Sequence, residues 1–367
     1  MYLQDPQLSI PKRPNPIDPR EVSMPPRRVT LADVAKKAGL SSTAASMILN
    51  GRPDTRLSKA AHDKVHAAAA ELGYRPNLAA RGLRTDKTQT IGFISDLVAT
   101  TRFASGLIRG ALQASEEAGN VMLVIETGGD PRREQKAIDA VLDRQVDGII
   151  FATMRARELF VPAFPPATKV VMLNATNPHH LQTVLPDEFA GGRAAARYLL
   201  DHGFSSDIAL IGHNAETEQG YFRSSTVEQR IHGIRSTMEA AGHTFMAELS
   251  AWDWEPQHGY TLTRSLLSGR TRPRALLCMN DRLAFGAYQA LNEAGLRVPD
   301  DVSIIGFDND ELAEYLRPGL TTVALPHEQM GRRAVDLLIG DSDPVQEFIS
   351  MPLIERASVK TASTPHP

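Results

Sequence analysis

The sequence predicts an α/β protein in two parts, a small three-helix module followed by a large body of two α/β lobes. Three observations point there. A basic stretch near the N-terminus carries helical apolar spacing with cap residues at each end. From Thr90 onward, short apolar runs alternate with amphipathic helices. At about 270 residues, that alternating region exceeds one comfortable doubly wound sheet, so two similar lobes with a ligand cleft between them are expected.

The helical module spans residues 27–75. Thr30 is placed to cap a first helix, LADVAKKAG, which ends at Gly39 in a left-handed turn. Ser41 caps a second helix, STAASMILN, which Asn50-Gly51 stop. LSKAAHDKVHAAAAELG is the third, capped by Ser58 and closed by Gly73. Leu31, Val34, Ala35 and Ala38 share one face of the first helix, and Ala45, Ile48 and Leu49 one face of the second. Two helices crossing at the small Ala35, joined by a turn at Gly39, predict a helix-turn-helix. The free face of the second helix then holds Ser42, Thr43, Ser46, Met47 and Asn50. This face can enter a major groove.

Charge supports that reading. Residues 27–88 hold 12 Lys and Arg against 5 Asp and Glu, whereas the whole chain has a net charge of −3. A basic module on an acidic body is the electrostatic footprint of a nucleic-acid binder, although a solvated helical face would look the same.

Residues 1–26 contain seven prolines and little periodicity, and read as a disordered tail. They lack the apolar core and small-residue cleavage site of a secretory signal, and Met24 is a second candidate start. No apolar run reaches the roughly 20 residues of a membrane span, so a cytoplasmic protein is expected. Residues 76–88 form a polar, Arg-rich connector in which Pro76 and Asn77 can open a short helix, with Asn77 as cap. Residues 89–360 form the body and 361–367 a second tail.

In the body, the expected strands are TIGFIS, VMLVIE, DGIIFA, KVVMLN, DIALIG, RALLCMN and DVSIIGFD. Short buried strands with helical crossovers imply parallel sheets covered on both faces. The single cysteine, Cys278, excludes an internal disulfide and lies in an apolar strand, where burial is expected rather than reactivity. His179-His180 sit in an exposed loop rather than a metal site. Asp308, Asp310 and Glu311 match no calcium-loop spacing. No nucleophile elbow, zinc-protease motif, Walker loop or dinucleotide fingerprint is present. No catalytic residues, cofactor or metal ion are expected.

The segment VTLADVAKKAGLSSTAASMILNG resembles the N-terminus of the lactose-repressor (LacI-type) family, with its pattern V-T-x-x-D-V-A-x-x-A-G-V-S-x-x-T-V-S-R-V-L-N-G. The likeness continues through ELGYRPNLAARGLRT, the family's hinge, and through a body like type I periplasmic binding proteins, from Arg27 to about Val359. It implies a homodimeric transcriptional regulator, expected to be a repressor, that binds a near-palindromic DNA operator and answers to a small-molecule effector. Ser42, Thr43 and Met47 match positions that face bases; Ser41, Ser46 and Asn50 match phosphate-facing positions. Asn77, Ala80 and Leu83 match a hinge helix that pairs with its dimer mate, with Leu83 as a wedge between base steps. The family often has Thr at Ala44 and Arg at Met47, and its phosphate-contacting Thr in the third helix is Ala61 here. The loop GRPDTRLS also exceeds the usual length; Arg52 and Arg56 can restore backbone contacts, alongside Arg27, Arg28, Lys36 and Lys37.

For the effector, the resemblance singles out Arg230 in QRIHGI, Trp254 in DWEPQHGY, Asn280 in CMNDRLAFG and Asp308 in IIGFDND. Asp96, Arg102 and Phe103 follow the first strand, and Asp187 opens the second lobe. Of the Asn280-Asp281 pair, Asn280 is the expected ligand contact. Each residue has a structural alternative: Asp281 can cap its helix, Asp308 can satisfy loop amides, Trp254 can belong to the core, and Arg230 can pair with Glu228 or another surface carboxylate. A sugar is the expected effector, though a purine would use the same groups. The alternative function is a periplasmic-type sugar receptor without gene regulation, and a nucleotide-dependent enzyme is a third.

Overall fold

The computed structural model describes residues 29–50, 57–75, 87–99, 101, 104–159, 161, 164, 168–180, 182–213, 224, 226–340, 343 and 345–360. The chain divides into two units, Met1–Arg81 and Gly82–Pro367.

The first unit holds α1 (Leu31–Ala38), α2 (Ser42–Leu49) and α3 (Lys59–Leu72). Thr30 opens α1 with a reciprocal capping box. Its backbone N–H donates to Asp33 Oδ2 at 2.8 Å, and its Oγ1 accepts from the Asp33 N–H at 3.4 Å. Gly39 ends α1 at φ 70° and Gly73 ends α3 at φ 63°, both in the left-handed region that glycine enters without a Cβ penalty. Ser41 Oγ accepts from the Ala44 N–H at 3.1 Å, and Ser58 Oγ from the Ala61 N–H at 3.3 Å. Val34, Ala35, Ala38, Ala45, Ile48, Val65, Ala68 and Ala69 form the core. Alanine dominates it, so the three helices pack closely and stability depends on caps as well as burial. Lys37 spends its charge on an ion pair with Glu71 of α3.

The second unit contains two six-stranded sheets. The first, in the N-lobe, uses β1 (Thr90–Ser95), β2 (Val121–Glu126), β3 (Gly148–Glu158), β4 (Lys169–Thr176), β5 (Thr183–Pro186) and β11 (Gln346–Ile349), in the order β11-β5-β4-β3-β1-β2. All its pairings are parallel. The second, in the C-lobe, uses β6 (Ile208–Ile211), β7 (Ala247–Leu249), β8 (Ala275–Cys278), β9 (Ser303–Asp308), β10 (Thr321–Ala324) and β12 (Leu353–Ile354), in the order β12-β10-β9-β8-β6-β7. Only the β10–β12 pair is antiparallel among these. Central strands are buried along nearly their whole length, as parallel strands covered on both faces must be, while the edge strand β2 is mostly half-buried.

The helices of this unit are α4 (Ser105–Glu117), α5 (Pro131–Asp143), α6 (Glu188–Asp201), α7 (Val227–Ala240), α8 (Pro256–Leu267), α9 (Asp281–Glu293), α10 (Glu311–Tyr315) and α11 (His327–Ile339). Three helix pairs make the closest crossings, and each is opened by facing glycines. A Cβ on Gly331 would lie 2.0 Å from the Leu107 carbonyl oxygen between α4 and α11. On Gly233 it would lie 2.2 Å from that of Phe189 between α6 and α7, and on Gly286 1.9 Å from that of Pro256 beside α8 and α9. Among the described residues, no helix is long and apolar enough to cross a membrane.

The chain passes between the lobes three times: after β5, after β10 and after β11. The expected alternation of strands and helices is present. The short strands β5, β7, β10, β11 and β12 are not among the expected runs: each has four residues or fewer, three of them form sheet edges and the other two lie next to an edge.

Candidate functional site

On α2, Ala45 and Ile48 turn into the core, while Ser42 and Thr43 are exposed and Ser46 and Met47 are half-buried. Ser41 is the N-cap, so its hydroxyl is already engaged by a backbone N–H. Asn50 folds back on the helix end, its Nδ2 donating to the Ser46 carbonyl at 2.7 Å and to Ser46 Oγ at 3.2 Å. Of the expected cations around this helix, Lys36 is exposed and Lys37 is tied to Glu71. Arg27, Arg28, Arg52, Arg56, Asn77, Ala80 and Leu83 lie outside the described residues, as do Arg102 and Phe103 of the body.

In the C-lobe, four expected residues come together where β6, β8 and β9 end. Arg230, on α7, is 2% exposed. Its Nε donates to Glu188 Oε2 at 2.6 Å and its Nη2 to Glu188 Oε1 at 2.8 Å, a two-pronged clamp. Its Nη1 donates to the Met279 carbonyl at 2.6 Å. The guanidinium carbon sits 4.3 Å from the Phe307 ring centre and 5.7 Å from that of Trp254. Asp308 Oδ1 is 3.6 Å from Nη2, too far for a hydrogen bond, and this buried oxygen has no hydrogen-bond donor. The Asp308 backbone has φ 103° and Asn309 has φ 53°. Two consecutive non-glycine residues in the left-handed region mark stored strain at the end of β9. Arg356 holds the turn, its Nη2 donating to Asn309 Oδ1 at 2.7 Å.

The electrostatics follow from burial. Burial pushes the Asp308 carboxyl up to about 7, despite the opposing pull of Arg230. Burial also raises Asp281 well above the usual carboxylate range, and neighbouring Asp308 adds to the rise. Burial works against the charge of Arg230, but Glu188, Asp308 and Asp281 together hold it above its ordinary value.

The Asn280-Asp281 pair divides its work differently from expectation. Asn280 is the helix cap: its Oδ1 accepts from the Leu283 N–H at 2.8 Å, and its Nδ2 donates to the Trp254 carbonyl at 3.2 Å. Asp281 is the buried acid, accepting from Thr322 Oγ1 at 2.7 Å and from the Asp310 N–H at 2.8 Å. Arg230 pairs not with Glu228 or a surface carboxylate but with the buried Glu188. Trp254 is half-buried against the C-lobe core, with its indole N–H donating to the Gly212 carbonyl at 2.8 Å.

Asp187 caps α6 through the Ala190 N–H at 3.0 Å. Asp96 accepts from the Leu97 N–H at 2.6 Å and the Met154 N–H at 3.0 Å, bonds internal to the N-lobe that do not link it to the Arg230 cluster. Glu188 was not among the sequence-predicted residues. Its signal was an acid pair, Asp187-Glu188, placed directly at a lobe crossing. Cys278 is buried and its thiol is pushed up by burial, which keeps it protonated and unreactive. The His179 and His180 amides donate to Asn177 Oδ1 at 2.7 and 3.2 Å. Among the described residues, no cluster of three His, Cys, Asp or Glu is placed to hold a metal.

A helix-turn-helix module with a polar exposed face, ahead of two parallel lobes with polar groups gathered at strand ends, defines a ligand-responsive DNA-binding regulator. Comparison with known proteins gives the family. The model for "Bacterial regulatory proteins, lacI family" matches residues 30–77, and that for "Periplasmic binding protein-like domain" matches 196–359. The ribose operon repressor of Escherichia coli (strain K12) is 32% identical over 314 residues, covering 84% of this chain and 92% of its own length. The HTH-type transcriptional repressor PurR of Vibrio cholerae (strain M66-2) is 31% identical over 341 residues, covering 90% and 98%. Among solved structures, the Lac repressor dimer bound to operator and the anti-inducer ONPF has a TM-score of 0.73 at 24% identity, covering 91% of this chain and 100% of its own, a likeness of fold. A LacI family regulator from Enterococcus faecium with bound ribose has a TM-score of 0.58 at 26% identity, covering 75% and 100%. The chain belongs to the LacI family: it is a DNA-binding transcriptional regulator governed by a small-molecule effector, and not an enzyme.

Proposed function

We propose that the chain is a cytoplasmic, homodimeric repressor whose headpiece (residues 27–75) reads a near-palindromic operator. A hinge over residues 76–88 leads to a body (89–360) that binds a sugar. Ser42, Thr43 and Met47 address base edges, while Ser41, Ser46, Asn50 and Arg52 address the backbone. Asn77, Ala80 and Leu83 enter the minor groove. Two headpieces on two half-sites account for a dimer, as in the Lac repressor dimer bound to operator. A sugar is favoured by the relatives, a ribose operon repressor and a ribose-bound regulator. Arg230, Asp308, Trp254 and Asn280 form the C-lobe side of its site, with Asp96, Arg102, Phe103 and Asp187 as further candidates.

The observation that carries the effector half is Asp308 Oδ1, a buried oxygen without a donor at a strained strand end. Native proteins leave few such atoms, and a ligand hydroxyl would supply the missing hydrogen. Selection of full-length protein on randomised duplexes tests the DNA half. It should enrich an inverted repeat whose binding weakens steeply with salt. Met47→Arg should move one base position in each half-site toward guanine, because arginine reads guanine with two hydrogen bonds and methionine cannot. If no inverted repeat emerges, the reading fails.

A further inference from the structure

We propose that Glu188 sets the charge class of the effector. By occupying the guanidinium fork of Arg230, it makes the C-lobe strand ends a receptor for a neutral, hydroxyl-rich molecule and excludes ligands with a carboxylate or phosphate at that end. The proposal rests on the reading that the effector binds beside Asp308.

A buried arginine at a ligand site ordinarily suggests an anionic ligand, because its planar fork matches a carboxylate or phosphate with two parallel bonds. Here that match is made within the protein. Of the five N–H donors of a guanidinium, Nε–H and one Nη2–H go to the two Glu188 oxygens at 2.6 and 2.8 Å, and one Nη1–H goes to the Met279 carbonyl at 2.6 Å. The side-on edge, Nε with Nη2, is filled by Glu188, and Nη2 also has Asp308 Oδ1 at 3.6 Å, so an anion at the remaining end-on pair would sit beside a carboxyl group. Glu188 is itself buried on the first turn of α6, so solvent does not compete for it.

The charge balance points the same way. One guanidinium faces three buried carboxyl groups, those of Glu188, Asp308 and Asp281. Glu188 already balances the guanidinium, so an arriving anion would find no unmatched positive charge, in a setting where water screens little. The cluster leaves two needs open: Asp308 Oδ1 accepts nothing, and two Arg230 N–H groups are not used by the bonds to Glu188 and Met279, so a group that both donates and accepts fits it. A carboxylate or a fully ionised phosphate brings only acceptors, whereas a sugar hydroxyl brings a hydrogen. The indole N–H of Trp254 and the amide oxygen of Asn280 are already bonded within the protein. They do not supply Asp308.

The test uses the full-length chain and measured affinities by calorimetry. The probes are matched sets: ribose with ribose 5-phosphate, and glucose with glucose 6-phosphate, gluconate and glucosamine. A neutral member should bind at least tenfold more tightly than its phosphate or carboxylate counterpart. Glu188→Gln removes the charge but keeps an amide oxygen for Arg230, and should narrow that ratio about tenfold. The wild-type ratio stands as an independent measurement should this variant not fold. An anionic member binding as well as its neutral partner, or glucosamine outbinding glucose tenfold, overturns the proposal and leaves the effector site standing. A neutral ligand whose affinity is unchanged in both Glu188→Gln and Asp308→Asn places the effector elsewhere, and overturns the reading of the site itself. Binding of no member overturns both.

Discussion

The two lobes share a strand order but finish their strands with different chemistry. Among the described side chains of the N-lobe, two polar groups in the second halves of β3 and β4 are neutral and bond each other's strands. Thr153 Oγ1 donates to the Asn174 carbonyl, and Asn174 Nδ2 donates to the carbonyls of Thr153 and Met154 at 2.9 and 3.1 Å. Asp96 is spent on the amides of Leu97 and Met154. In the C-lobe, the equivalent edge is charged and buried, and it leaves an acceptor open at Asp308. The difference teaches that one architecture can use its strand ends to brace its own loops or hold them ready for a ligand. Burial plus an unmet hydrogen-bonding need distinguishes the two uses.

Three measurements would break or sharpen that contrast. The largest effect is expected for Glu188→Ala, which strands a buried guanidinium; breaking such a pair costs about 3–5 kcal/mol, read by denaturant unfolding. Next comes Asn174→Ala in the N-lobe, where loss of a buried neutral donor costs about 1–3 kcal/mol. The backbone there has φ 51°, which alanine tolerates less well than asparagine. Equal losses in the two variants would mean that charge is not what separates the lobes.

The smallest effect is a pH dependence. Asp308, held near 7 by burial against an ordinary value of 3.8, keeps a proton in the native state that the unfolded chain releases earlier. Its contribution to stability is therefore full below roughly pH 4, declines as pH rises, and is lost above about 7. Asp308→Asn does not titrate, so its melting temperature relative to wild type should climb across that window and then level. A difference that stays flat from pH 4 to 8 would remove Asp308 as a titrating group.

The parts of this molecule that were legible in the sequence are those set by local chemistry. Thr30, Gly39, Ser41, Ser58 and Gly73 announce helix ends because cap bonds span only a few residues. Central strands such as TIGFIS are continuous apolar runs, visible without knowing their partners. Edge strands such as Gln346–Ile349 carry no such pattern. The candidate site was half legible. Arg230 and Asp308 stood out by resemblance, but the partner of Arg230 lies 42 residues away, beyond any local rule. Glu228 was the tempting neighbour, yet residues two apart on a helix point in different directions. The exchange of roles between Asn280 and Asp281 depends on Thr322 and the Asp310 amide, brought near only by the fold.

The three passages of chain between the lobes have a consequence for how the protein is made. The N-lobe sheet is not finished until β11 pairs with β5, and α4 lacks its partner until α11 arrives. The last of these segments ends at Ile349 of 367 residues. A ribosome adding about 5–20 residues per second has thus emitted the helical module long before either lobe can close. The part that reads DNA can be folded while the part that governs it is still being synthesised.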